Sequence, residues 1–184
     1  MSRQENQMGM LLKAISFSAR AHQGQFRKDK VTPYSSHPFR VCMILRHTFG
    51  VQDEKVLMAA VLHDTVEDTT TDFDDIEKEF GKDVATWVAW LSKDKREKEG
   101  YREKHYVARL RNAPDPVKLA KLADIYDNLS DLINVPSRHH LKKTLDRSAQ
   151  YLKALSSGHK SIALNRALGV VLDLRKRVKK DLKA

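Results

Sequence analysis

The chain has 184 residues, 41 % hydrophobic and 32 % charged, enough for one domain (1–184) with a substantial core. No run approaches the roughly 20 apolar residues of a membrane span, and the first seven residues lack the apolar stretch of a signal peptide, so a soluble globular protein is expected. The formal charge of +10 and pI of 9.7 favour anionic partners such as nucleotides, polyphosphates, nucleic acid or acidic lipid, while the single cysteine, Cys42, excludes an intrachain disulfide and suits a reducing cytoplasm.

Between seven glycines and five prolines nearly every segment has helical rather than alternating periodicity. Leu11, Leu12, Ile15 and Ala19 predict a helix from Met8 to about Ala21. After a loop over 26–36, a second begins near His37-Pro38, runs through Val41, Ile44 and Leu45 and stops by Gly50. Asp53 reads as an N-cap for a helix from Glu54 to about Thr65. Helices follow over Asp72–Phe80, ended by Gly81, then Lys82–Leu91 and Tyr101–Arg111. The segment Ser92–Gly100 has no apolar residue and reads as an exposed, mobile loop. Pro114 and Pro116 precede a helix from Val117 to Leu132, Pro136 breaks the chain again, and His139–Leu155 and Ser161–Lys180 complete an all-α pattern without repeat or linker. The last of these ends in the basic run Arg175–Lys180, read as a solvated helix end.

One stretch points to chemistry rather than packing. Val61-Leu62-His63-Asp64-Thr65-Val66-Glu67-Asp68 sets an imidazole and three carboxylates after an apolar helical run. On a continuous helix Asp64 would stack against Glu67 and Asp68 beside the negative C-terminal pole, an arrangement that asks for a cation or for proton transfer. His37, where a loop enters a helix, and Asp124, at the edge of an apolar helix face, are candidates to complete a site. An unpaired buried carboxylate is costly, so Asp124 needs a partner; Lys121 is the ordinary one. His22 is an alternative first ligand. Two His and two Asp without thiolate suit Mn²⁺, Fe²⁺, Co²⁺ or Zn²⁺, with Mn²⁺ favoured for an octahedral site that keeps open positions. Glu67 and Asp68 then remain as bases or water-positioning groups. Asp72, Asp74 and Asp75 read as first-turn acids that complement a helix dipole.

Four blocks in order carry a family resemblance: Ala21-His22-Gln23-Gly24-Gln25-Phe26-Arg27-Lys28, Thr32-Pro33-Tyr34-Ser35-Ser36-His37-Pro38, Leu62-His63-Asp64-Thr65-Val66-Glu67-Asp68-Thr69 and Lys121-Leu122-Ala123-Asp124. With them the chain resembles the HD-type hydrolase domain of RelA/SpoT homologues, specifically the small stand-alone alarmone hydrolases similar to the metazoan SpoT homolog. That resemblance implies an HD-domain helical bundle and hydrolysis of the 3′-pyrophosphate of (p)ppGpp, with Mn²⁺ as metal and a nucleotide alarmone as partner. It implies that His37, His63, Asp64 and Asp124 are metal ligands and that Glu67 and Asp68 ready the attacking water. Arg27 is similar to the arginine that packs on the purine, with Lys28 beside it, and Asn128 matches a substrate contact. No synthetase domain is expected in this length.

Two departures stand out. The loop Asp29-Lys30-Val31-Thr32 lacks the usual glycine, and Ile125-Tyr126-Asp127-Asn128 lacks the basic residue and the His or Tyr usual before the Asn. Neither is expected to touch a metal ligand, and both are expected near the base. That leaves (p)ppApp and NADPH open as substrates. Lys93, Lys95, Arg96 and Lys98 read as a solvated loop, with substrate gathering as the alternative. Another HD-type nucleotide phosphohydrolase, acting on a nucleoside monophosphate or dNTP, is the second enzyme reading. A nucleic-acid module is disfavoured because no basic stripe is interleaved with aromatics. Neither membrane nor nucleic-acid partners are expected, and the sequence leaves room for a homo-oligomer.

Overall fold

Helix starts and stops follow the local chemistry of the chain. The computed structural model describes residues 3–134, 137–158 and 161–182. It gives α1 (Arg3–Ala21), α2 (Ser36–Met43), which widens into a π-helical turn (Ile44–Thr48), α3 (Glu54–Leu62), α4 (Thr65–Asp68), α5 (Phe73–Phe80), α6 (Lys82–Leu91), α7 (Glu99–Arg111), α8 (Asp115–Ser130) with a 3₁₀ turn (Asp131–Asn134), α9 (Arg138–Leu155) and α10 (Ile162–Asp181). The all-α expectation holds; among the described residues the one β-type pairing is an isolated bridge between Phe26 and Pro33. Pro136, expected to break the chain, lies outside the described residues, as do Met1 and Ser2.

Asp53 caps α3 by accepting the Lys55 N–H at 2.9 Å. Asp72 and Asp75 form a reciprocal capping box at the start of α5, a local role for acids assigned no chemistry. Gly81 joins α5 directly to α6 at φ 86°, a left-handed conformation that disfavours any other residue. The loop without the expected glycine turns instead at Lys30 (φ 64°), while the Asp29 carboxylate accepts the Val31 and Thr32 N–H groups, both at 2.9 Å. These bonds, with the Thr32 hydroxyl first among them, pull the Asp29 carboxyl down to about 2.

α8 is the axis on which the site depends. It packs against α2, α3, α6, α9 and α10, so it is buried on nearly every side from Val117 to Ile125. Leu122 and Leu129 lock it to a core that includes Leu45, Leu57, Leu62 and Leu164, all under 2 % exposed. Each such side chain contributes about 1.5–3 kcal/mol by leaving water. Polar residues on so enclosed a helix must find partners inside the protein, and Lys121, Asp124 and Asp127 are all buried.

Two expectations are corrected. The helix through Val61 does not continue to Thr65: α3 stops at Leu62 and a new four-residue helix begins after Asp64. Side chains end it. His63 Nδ1 bonds the Ala60 carbonyl at 2.7 Å and the Thr65 hydroxyl donates to the Leu62 carbonyl at 2.7 Å, occupying acceptors a continuing helix would use. Glu67 and Asp68 therefore lie in the single turn of α4 rather than at the C-terminal pole of one long helix. Ser92–Gly100 is exposed over most of its length, as expected, but not throughout: Ser92 is buried, and Lys93 and Lys95 reach back to the acids of α4.

Candidate active site

The break between α3 and α4 at His63–Asp64, the start of α2 and the middle of α8 meet at the floor of a cleft of about 300 Å³. α2 supplies His37, the α3–α4 joint supplies His63 and Asp64, and α8 supplies Asp124. His37, His63 and Asp124 offer ligand atoms within 4.8 Å of one another. Asp64 Oδ2 lies 3.0 Å from His63 Nε2 and 3.5 Å from His37 Nε2, while Asp124 Oδ1 lies 3.7 and 3.3 Å from the same two nitrogens. Four side chains expected to act together are thus brought to one point.

Both imidazoles are engaged through Nδ1, His63 with the Ala60 carbonyl and His37 with Asp127 at 2.6 Å, so both turn Nε2 toward the carboxylates. His63 Nε2 is buried and makes no hydrogen bond. A buried nitrogen that faces two carboxylates without hydrogen-bond geometry to either fits a cation-binding position better than a packed core. The electrostatics agree. Burial pushes the Asp64 and Asp124 carboxyls up, but the His63 charge beside Asp64 and the Lys121 ammonium beside Asp124 hold them well below the usual range. Burial lowers the imidazoles, yet bonds to Asp124, Asp127 and Asp64 hold His37 up at about 9, and Asp64 above all holds His63 well up. The cluster draws positive charge to itself, and a divalent cation with nitrogen and oxygen ligands suits it.

Asp124 does form the ordinary ion pair with Lys121, at 2.7 Å, but only through Oδ2; Oδ1 faces the imidazoles and accepts from Asn128 Nδ2 at 2.6 Å. The Lys121 ammonium also lies over the Tyr106 and Tyr151 rings, at 5.2 and 4.8 Å.

Glu67 and Asp68 line the same cleft beside the cluster. Glu67 Oε2 accepts the Lys93 backbone N–H at 3.0 Å, with the Lys93 ammonium 3.9 Å from its other oxygen. Burial raises the Glu67 carboxyl, and Lys93 opposes the shift. Asp68 is paired with the Lys95 ammonium and accepts a longer bond from the Tyr34 hydroxyl. The expected mutual repulsion of three carboxylates is therefore relieved by a different cationic partner for each.

Arg27 is mostly buried rather than held open: Nε donates to Asp131 at 3.0 Å, Nη2 donates to Asn128 Oδ1 at 3.0 Å, and the guanidinium lies 5.6 Å over the Tyr34 ring. Asn128 thereby links Arg27 to Asp124. Lys28 is exposed on the cleft wall. His22 does not join the cluster. Its Nδ1 bonds Gln25 at 2.9 Å, its ring lies against Tyr34, and burial lowers its pKa.

One expectation about the departures is overturned. Asp127 was expected near the base and away from every ligand, yet it bonds His37 directly. The signal was available: Asp127 follows Asp124 by three residues, one turn along the same helix face. Sequence reasoning also passed over Tyr34, whose hydroxyl donates to Asp64 Oδ2 at 2.6 Å. Burial and Asp64 raise its pKa far beyond the ordinary value, so it remains a donor. The opposite wall, His140, Thr144, Arg147 and Tyr151 of α9, was equally unmarked.

Comparison with known proteins gives the same direction. The HD domain family model matches residues 14–152. The chain is 38 % identical over 162 residues to the Homo sapiens guanosine-3′,5′-bis(diphosphate) 3′-pyrophosphohydrolase MESH1, covering 85 % of this chain and 90 % of that one. It is 44 % identical over 124 residues to the Xenopus tropicalis protein of the same name, covering 67 % and 69 %. Among solved structures, a metazoan ortholog of SpoT described as hydrolysing ppGpp superposes with a TM-score of 0.80 at 32 % identity, over 90 % of this chain and 95 % of that one.

Proposed function

The chain belongs to the HD-domain family, and from that premise we propose that it is a metal-dependent hydrolase of guanosine alarmones, releasing pyrophosphate from the 3′ position of ppGpp or pppGpp and leaving GDP or GTP. The observation that carries this is the convergence of His37, His63, Asp64 and Asp124 beside Glu67 and Asp68 in one cleft. The named relatives act on the same substrate class.

His37, His63, Asp64 and Asp124 would hold a divalent ion, Mn²⁺ by our reading. When bound, the ion supplies Lewis-acid polarisation and acidifies water. The protein's own residues do the rest. Glu67, held by the Lys93 amide, takes a proton from the attacking water, and its raised pKa makes it a better base near neutrality than an ordinary glutamate. Asp68, oriented by Tyr34 and Lys95, positions that water. Water oxygen joins the phosphorus next to the ribose, the bond from that phosphorus to the ribose 3′ oxygen breaks, and that oxygen leaves with a proton returned by Glu67 directly or through solvent. Arg27, Lys28 and Asn128 contact the nucleoside. The cations Lys93, Lys121 and Arg147 line the same cleft and offset the charge of a substrate phosphorylated at both ends. Residues 1–184 act as one HD-type domain in a reducing cytoplasm, without membrane or nucleic-acid partners. Among the described residues no helix is long and apolar enough to cross a membrane.

A turnover assay of ppGpp, pppGpp, ppApp and NADPH with Mn²⁺, with product identification, tests the assignment. Pyrophosphate from the guanosine alarmones, abolished by EDTA, is expected. A folded, metal-loaded protein inactive on ppGpp and pppGpp sinks it.

A further inference from the structure

Asp127 is 3 % exposed, and both of its oxygens are committed. Oδ2 meets His37 Nδ1 at 2.6 Å. Arg40 grips the same carboxylate as a fork, Nε to Oδ1 at 2.6 Å and Nη2 to Oδ2 at 3.0 Å, and is steadied by donating Nη1 to the Ser36 hydroxyl at 3.3 Å. The Arg27 guanidinium adds a further positive charge at 3.7 Å. An imidazole can offer the Nε2 lone pair to a cation only when its proton sits on Nδ1, and that proton needs an acceptor. His63 has a neutral one, a backbone carbonyl. His37 has an anionic one, at a position where the resembled family usually carries His or Tyr.

We propose that Asp127, anchored by Arg40, is a positioning residue that fixes the tautomer and ring plane of His37 and so raises the affinity of the site for its divalent ion. This rests on the metal-dependent reading above and names the residue on which its strength depends. An anionic acceptor increases electron density at the opposite nitrogen and makes it a stronger ligand. Arg40 holds the carboxylate on the Nδ1 side of the ring, opposite Nε2, so that Asp127 would serve His37 rather than compete with it for a cation. A rival account treats the contact as a plain ion pair fastening α2 to α8. The two differ in what each variant should lose.

Mn²⁺ binding to the full chain is measured by isothermal titration and by the Mn²⁺ resonance signal for wild type, Asp127→Asn, Arg40→Gln and Asp64→Ala, with melting temperatures in parallel. Asp127→Asn should bind Mn²⁺ about 10–100-fold more weakly, with activity recovering as Mn²⁺ is raised. Arg40→Gln, which removes the same ion pair but leaves the carboxylate, should weaken binding less, by about threefold and below the range for losing the direct partner. If Asp127→Asn fails to fold, the Arg40→Gln constant decides alone. An unchanged dissociation constant in the folded variant, or equal losses in both variants, overturns the inference and favours the fastening role. Asp64→Ala should bind no Mn²⁺. If the wild-type protein itself binds none, the metal reading falls and carries this inference with it; normal wild-type binding with an unaffected Asp127→Asn defeats the inference alone.

Discussion

The floor of the cleft and its rim are built on opposite principles. On the floor, His37, His63 and Asp124 are buried, each imidazole is braced at Nδ1, and the donors come from helices locked by leucine packing. On the rim, Lys93, Lys95 and Arg147 are long cations on a loop and a helix face, partly exposed and paired with carboxylates that a substrate phosphate could replace. A cation site needs ligands fixed to within a fraction of an ångström, which burial and bracing provide. A substrate must enter and leave, so its contacts belong on side chains that can exchange partners. The difference teaches that charge here is not uniform currency: buried charge sets geometry, whereas exposed charge sets capture.

If that division is right, floor substitutions should cost far more than rim substitutions. Asp64→Ala removes one of the four proposed ligands and leaves His63 Nε2 facing the Asp124 carboxylate alone, at 3.7 Å; activity should fall at least about 10³-fold, with loss of metal in a direct metal assay, because a bound ion contributes several kcal/mol to the transition state. Glu67→Gln keeps shape and metal but no longer takes the proton. We expect kcat to fall about 10²–10³-fold with metal content unchanged, the range of a positioned base. A Glu67→Gln enzyme with wild-type kcat, or one that has lost its metal, would erase the distinction between ligand and base. Arg27→Ala, on the wall, should raise KM about tenfold and spare kcat, because a bond from a charged donor contributes about 1.5–3 kcal/mol and part of it is already used on Asp131. A loss confined to kcat would place Arg27 with the floor.

The floor was largely legible in the sequence, and the rim was not. His63, Asp64, Glu67 and Asp68 stand out by their short spacing, whereas His37 and Asp124, 26 residues before His63 and 60 after Asp64, were joined to them by the combination and the family resemblance. Helix bounds were legible wherever a cap or glycine marked them, as at Asp53, Asp72 and Gly81. What stayed hidden depends on long-range packing. The end of α3 at Leu62 is set by side chains bonding the helix's own carbonyls, which periodicity does not reveal. The partnership of Asp127 with Arg40 spans 87 residues, and that of Lys93 with Glu67 spans 26. The α9 wall consists of ordinary surface residues until the fold sets it against the cleft. The excess charge was legible both as a sum and as a stretch of chain, since all of the +10 lies within residues 138–184, which hold 13 Lys and Arg against 3 Asp, while residues 1–137 balance at 21 of each; that Arg147 among them lines the cleft was not.

The smallest expected effect is the most diagnostic, because it separates rim electrostatics from rim structure. Lys93 acts on Glu67 twice, through its backbone N–H at 3.0 Å and its ammonium at 3.9 Å. Lys93→Ala deletes only the second, since every residue but proline retains the amide. Burial already raises the Glu67 carboxyl, and the Lys93 charge is the first influence opposing that rise. Removing the charge must therefore raise it further. A base works only when deprotonated, so the acidic limb of the kcat–pH profile should lie above the ordinary glutamate value in the wild type and move to still higher pH in Lys93→Ala. The plateau above that limb should drop only a few-fold, about 1 kcal/mol or less, as expected when a partly solvent-screened charge is lost. At a pH inside the limb the variant will look much worse than on the plateau, and raising the pH should recover most of its activity. A limb that stays in place, or moves down, would mean that the ammonium does not sense Glu67 and that the loop holds the base by its backbone alone.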